Sequence, residues 1–271
     1  ASDVYKRQAV IVLSRGEHGG DFTLTGQALV GACAAQTILG QLFRAIEVVG
    51  PSSRLQDLTV RGRADGDYGV LVHNGGALAL AGVIVERLGL LVLGRLDGED
   101  VLVRGVGGVA ASAARRALLG EAGGTATLSR VIIEHDGDEA IVLTGGARLD
   151  ATDLVISSPM PSAVNVYDGG SASISGALFL GTAVRAFQRG TITIADSAFV
   201  AGLEQTTERA IVADNGGVIT AQHVAIERPL TEAILVFPGS SVTFEDGWID
   251  DTGTEDMFAE AFVGAGASLT M

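Results

Sequence analysis

Five residues stand where recognition chemistry could be done: Asn165, Tyr167, Arg185, Phe187 and Asp214. They fall on three short alternating segments, at positions facing away from the inward Val164, Val184 and Ile211. Two rings offer flat faces, while an amide, a guanidinium and a carboxylate offer hydrogen bonds. That mixture suits a glycan or a protein surface. Matched outward positions such as Leu71, Leu91, Val142, Val212 and Leu235 are apolar where a solvated face would be polar. Contiguous exposed apolar area usually marks an interaction site. The competing reading is that another segment covers this face, leaving Arg185 and Asp214 as a cross-strand ion pair.

Other candidates carry less. The acidic stretches 134–139 and 250–256 hold clustered carboxylates, which can bind Ca²⁺ through six to eight oxygens. Neither has EF-hand spacing, so they are read as solvated loops, and no metal and no cofactor is expected. His18, His73, His135 and His223 are too scattered for a local ligand pair. Cys33, the single cysteine, excludes an internal disulfide and reads as a buried small hydrophobe.

What must position the five residues is a repeat. Arg148-Leu149-Asp150-Ala151-Thr152-Asp153-Leu154-Val155-Ile156 is matched almost residue for residue by Arg95-Leu96-Asp97-Gly98-Glu99-Asp100-Val101-Leu102-Val103. Each copy reads as a Gly-containing turn, an alternating run, a polar turn, a second run, a variable loop and a third run. Copies aligned on the end of the second run give the column Val60, Val85, Val103, Ile133, Ile156, Phe179, Phe199, Ile226, Ile249. The third run gives Val70, Leu90, Leu118, Ile141, Val164, Val184, Ile211, Ile234. Every member is apolar. Three strands in about 24 residues cannot enclose a core alone, so each copy must bury its inward face against equivalents above and below. The spacing is too short for a propeller blade and lacks the leucine-rich signature. The expected fold is all-β: a right-handed, single-stranded parallel β-helix of about 9–10 coils.

The same residues resemble the pectin-lyase-like superfold over 45–271. The segment 9–44, with Gly16-Glu17-His18 and Ala28-Leu29-Val30-Gly31, resembles the first turns or cap of secreted bacterial β-helices. That resemblance implies a fold, whereas the superfold hosts lyases, hydrolases, adhesins and inert domains. In its lyases the sheet corresponding to the third run floors a sugar-binding cleft. Its enzymes' motifs are mostly missing. Asp250-Asp251 matches the acidic pair of polygalacturonase-type hydrolases, but no Gly-His-Gly or Arg-Ile-Lys follows. Gly247-Trp248-Ile249-Asp250-Asp251 is similar to a pectate lyase signature, with Asp251 in place of the expected His. No catalytic residue is assigned.

The composition narrows the partners. With 271 residues, 47% hydrophobic and 18% charged, the chain can build a core and is not disordered. A net charge of −14 argues against nucleic acid and anionic membrane, which need clustered Lys and Arg. No apolar run approaches a membrane span of roughly 20 residues. The only lysine, Lys6, sits in Asp3-Val4-Tyr5-Lys6-Arg7-Gln8, which is what the end of a transposase sequencing adapter encodes. Residues 1–8 are therefore read as non-native, and the C-terminus as cut within the repeat. The expectation is a non-catalytic extracellular or cell-surface scaffold or adhesive module, its partner a polysaccharide or surface protein. The alternatives are a polysaccharide lyase or glycoside hydrolase of this superfold, and an oligomeric or phage-type fibre.

Overall fold

Alternation with period 2 puts every second side chain on one side of a strand, and the strands here use that side to build a shared interior. The computed structural model describes residues 9–20, 22–42, 46–62, 68–106, 116–135, 139–158, 162–200, 209–227, 232–250 and 261–271. The adapter-like residues 1–8, and positions 136–138 and 251–256 of the two acidic stretches, lie outside them. The described residues form a parallel β-solenoid of about 9 coils, repeating every ~23 residues. First and second runs of all coils make one sheet of 18 strands, and third runs make a second sheet of 11.

Both apolar columns are real ladders. Val60 pairs with Val85, Val85 with Val103, and the series continues in register through Ile156, Phe179 and Phe199 to Ile249. The third-run series pairs likewise from Val70 to Ile234, and is extended by Ile46 before it and Ala261 after it. These side chains interlock in one continuous core. Phe179 and Phe199 stack inside it, their ring centroids 4.5 Å apart and their planes nearly parallel at 10°. Burying each such side chain stabilises the fold by about 1.5–3 kcal/mol. The segment 9–44 joins the same stack: Val10–Leu13 pairs with Ala28–Gly31, Gly16–His18 with Thr37–Leu42, and Thr23–Leu24 with Ile46–Val48.

Cys33 departs from expectation. It is exposed, because the alternating strand ends at Gly31 and the cysteine sits in the turn that follows.

The corner between first and second runs is the polar turn expected, with glycine in only two of its copies. Its one left-handed residue is, coil by coil, Asp57, Gly82, Asp100, Arg130, Asp153, Gly176, Asp196, His223 and Asp246, with φ between 49° and 63°. Aspartate tolerates this region through local hydrogen bonding. Along the column every second residue is an aspartate, and the places between hold glycine, arginine or histidine. Arg130 grips Asp100 through Nε at 2.7 Å and Nη2 at 3.0 Å. His223 lies 3.2 Å from Asp196 and 3.8 Å from Asp246. Strand spacing of about 4.8 Å would otherwise stack like charges.

Candidate functional site

The third-run sheet presents the strands Ile141–Leu143, Val164–Val166, Val184–Phe187 and Ile211–Asp214 side by side, paired in parallel and in register. Val164, Val184 and Ile211 point into the coil and are fully buried. The opposite face divides into two columns. The first, with Leu119, Val142, Asn165, Val212 and Leu235, is buried although it points outward. The second, with Tyr167, Phe187 and Asp214, is half-buried. The face is therefore no open apolar platform; solvent reaches its second column and, in the first, the half-buried Leu71, Leu91 and Arg185.

All five residues singled out from the sequence lie on this face. Asn165 is 2% exposed, and its Nδ2 donates to Ser162 Oγ at 3.2 Å, so it braces the connection preceding its strand. The Tyr167 and Phe187 rings meet edge to face, with centroids 3.9 Å apart and planes at 88°. The Arg185 guanidinium carbon lies 4.8 Å from the Phe187 ring centroid, and Nη2 donates to Asp214 Oδ2 at 2.8 Å. An edge-to-face pair and a cation over a ring are both favourable uses of the ring quadrupole.

The network extends to Arg116 and to Glu139, which corrects the reading of Glu139 as part of a solvated acidic loop. The Tyr167 hydroxyl donates to Glu139 Oε1 from the preceding coil, and Arg116 Nε lies 3.0 Å from Glu139 Oε2. One connected line thus runs Arg116, Glu139, Tyr167, Phe187, Arg185, Asp214 across successive coils. Burial, then the Glu139 hydrogen bond and charge, push the Tyr167 phenol well above its ordinary value; Arg116 and Arg185 pull weakly the other way. The phenol accordingly stays a donor. Farther along the same edge, Arg209 and Glu232 form another ion pair at 3.5 Å.

A repeated triplet marks this edge. Arg116-Ala117-Leu118, Glu139-Ala140-Ile141, Ser162-Ala163-Val164, Thr182-Ala183-Val184, Arg209-Ala210-Ile211 and Glu232-Ala233-Ile234 each place a polar residue, a buried alanine and an inward apolar residue at the strand start. The alanine is small because the chain turns tightly into the sheet there, and the polar residue is partly exposed in every copy but that of the buried Thr182.

A second feature lies at the end of the second run. A cavity of about 370 Å³ is lined by Glu86, Arg87, Arg104, Gly105 and Glu134. Glu86 is held on both oxygens, by Arg61 Nε at 2.7 Å and by Arg104 Nε at 3.0 Å. Desolvation alone would raise the Glu86 carboxyl, but the hydrogen bonds from Arg104 and Arg61 outweigh it and hold the group below its ordinary value. Among the described residues no cluster of His, Cys, Asp and Glu is arranged to hold a metal ion. No helix among them is long and apolar enough to cross a membrane.

No family profile matches the chain, and no curated protein matches it in sequence. Among solved structures it is similar to the catalytic unit of a thermostable GH87 α-1,3-glucanase from Streptomyces thermodiastaticus, with a TM-score of 0.52 and 14% identity. The likeness covers 97% of this chain and 62% of that one, so the chain spans less than two thirds of its neighbour's length. The Agl-KA catalytic domain is also similar, with a TM-score of 0.49 and 12% identity, over 96% of this chain and 62% of that one. The shared feature is the β-helix. In that glucanase the matched β-helix is part of a catalytic unit, and this corrects the expectation of a non-catalytic scaffold or adhesive module.

Proposed function

We propose that the chain is the β-helical part of a polysaccharide-cleaving glycoside hydrolase, with the outer face of the third-run sheet as its sugar-binding floor. The observation that carries this reading is the connected line from Arg116 to Asp214. Carbohydrates are bound by ring faces that cover their C–H patches and by planar polar groups that hydrogen-bond adjacent hydroxyls, and this line supplies both. Tyr167 and Phe187 provide the rings, while Glu139, Arg185 and Asp214 provide the hydrogen bonds. Similarity to a glucanase catalytic unit supports the same direction.

Glycoside hydrolysis uses two carboxyl groups on either side of the scissile bond, about 5–5.5 Å apart for retention or 6.5–9.5 Å for inversion. Glu139 and Asp214 belong to coils three strand spacings apart, about 14 Å at the backbone. They are too distant to be each other's partner. Their proposed role is therefore to hold successive sugars of one chain, not to share a bond. An extracellular or cell-surface location goes with this reading, since an insoluble polysaccharide is met outside the cell.

The test is release of reducing ends from a polysaccharide panel that includes insoluble α-1,3-glucan. Tyr167→Ala and Phe187→Ala should raise KM at least several-fold and lose retention on the polysaccharide that is cleaved. Glu139→Gln and Asp214→Asn should act mainly on KM, with kcat less affected. No hydrolysis of any polysaccharide by the parent chain would end the proposal.

A further inference from the structure

We propose that the cavity bordered by Arg87 and Glu134 is a binding site for a small hydroxylated monocarboxylate of the sugar-acid kind, with Arg87 taking the carboxylate. Two backbone features converge on it. Arg87 occupies the left-handed region at φ 71°, a conformation uncommon for a residue with a side chain. Opposite it, the pairing of Arg95–Val106 with Thr125–His135 slips between Arg104 and Val106, leaving Gly105 as an extra, bulged residue at φ 64°. Bulges of this kind recur beside binding sites because they re-aim neighbouring side chains. Here the bulge also keeps the space open: a Cβ at Gly105 would meet only the Arg87 nitrogen, at 3.9 Å.

The charges then select the ligand. Glu86 is already satisfied by Arg61 and Arg104, so it fixes Arg104 and does not accept a ligand. Arg87 and Glu134 are exposed, and no described residue pairs with either side chain. The free guanidinium can take a carboxylate bidentately. Glu134 repels a second anionic group and accepts hydrogen bonds from hydroxyls, which limits the ligand to one carboxylate with donors beyond it. A volume of about 370 Å³ sits within the roughly 300–1,000 Å³ common for small-molecule sites. The inference does not rest on hydrolysis, because its readout is binding.

Calorimetric titration of the whole chain with D-glucuronate, glucose and acetate tests it. Glucuronate should bind, with glucose and acetate each weaker by roughly tenfold or more, and Arg87→Gln should weaken glucuronate by roughly tenfold or more. Gly105→Asn, which tolerates positive φ but fills the space, should abolish binding with the melting temperature little changed. Glucose or acetate binding as tightly as glucuronate would overturn the proposal. So would an unaltered Arg87→Gln variant, or no binding by the parent at about 10 mM glucuronate.

Discussion

The hydroxyl of Tyr167 donates a hydrogen bond to the carboxylate of Glu139, one coil away. This contact ties the aromatic pair on the third-run sheet to the polar edge that precedes it, and it makes Tyr167 a spectroscopic handle on the site.

Of the chain's three tyrosines, Tyr167 should resist ionisation past about pH 10, where an ordinary phenol titrates. Its raised value in the folded state means that the stability it confers is complete below the unfolded value of 10.0 and is lost as pH rises beyond it. Titration followed by phenolate absorbance should show a delayed fraction in the parent. Glu139→Gln should move that fraction toward the ordinary range. A Tyr167 that titrates normally in the parent would contradict the geometry.

At the acid end the responsible group is Glu86. Its value is lowered in the folded chain, so its contribution is present above the ordinary 4.5 and is lost as pH falls below that through the folded value. Glu86→Gln should therefore flatten the acid side of a melting temperature against pH curve. At neutral pH it should cost about 1–3 kcal/mol, because Arg61 and Arg104 lose a shared acceptor that is only 13% exposed.

In the core, Phe179→Ala removes a fully buried ring stacked on Phe199 and leaves a cavity in the ladder. The expected cost is about 3–5 kcal/mol, read from urea unfolding. A loss below ~1 kcal/mol would mean that neighbouring coils collapse into the space.

How much of this was legible in the sequence follows from what each residue faces. Both inward columns were readable, register included, because a shared interior forces every coil to put an apolar residue at the same place, as with Val103, Ile133 and Ile156. Tyr167, Arg185, Phe187 and Asp214 were readable as outward positions by the same alternation. The burial of Asn165 and Val142 was not, since alternation gives direction and says nothing of what lies above a face. Glu139 was read as part of a solvated acidic loop because it precedes its strand, inside the variable connection. Only the recurring polar residue before a buried alanine, as in Glu139-Ala140-Ile141 and Arg209-Ala210-Ile211, could have pointed to it. Arg87 and Gly105 were hidden for another reason: a bulge is a property of two paired strands, and one strand's sequence does not display it.

Gly176 tests the corner column directly. It lies between Asp153 and Asp196, and a Cβ there would come within 3.0 Å of Asp153 Oδ1. Gly176→Asp should melt below Gly176→Asn at low salt, because both tolerate the left-handed backbone and only the first adds a third carboxylate. The gap should close near 1 M salt, where the screening length is about 3 Å. Equal melting at low salt would show that the alternation carries no energetic weight.

That alternation also constrains how such a rod can lengthen or shorten. Deleting the coil that carries Gly176 would set Asp153 against Asp196, and deleting the His223 coil would set Asp196 against Asp246. Removing two neighbouring coils together leaves the sequence of signs intact. Counted by its charges, the unit that can be duplicated or lost without repair is a pair of turns, twice the period that the apolar ladders reveal.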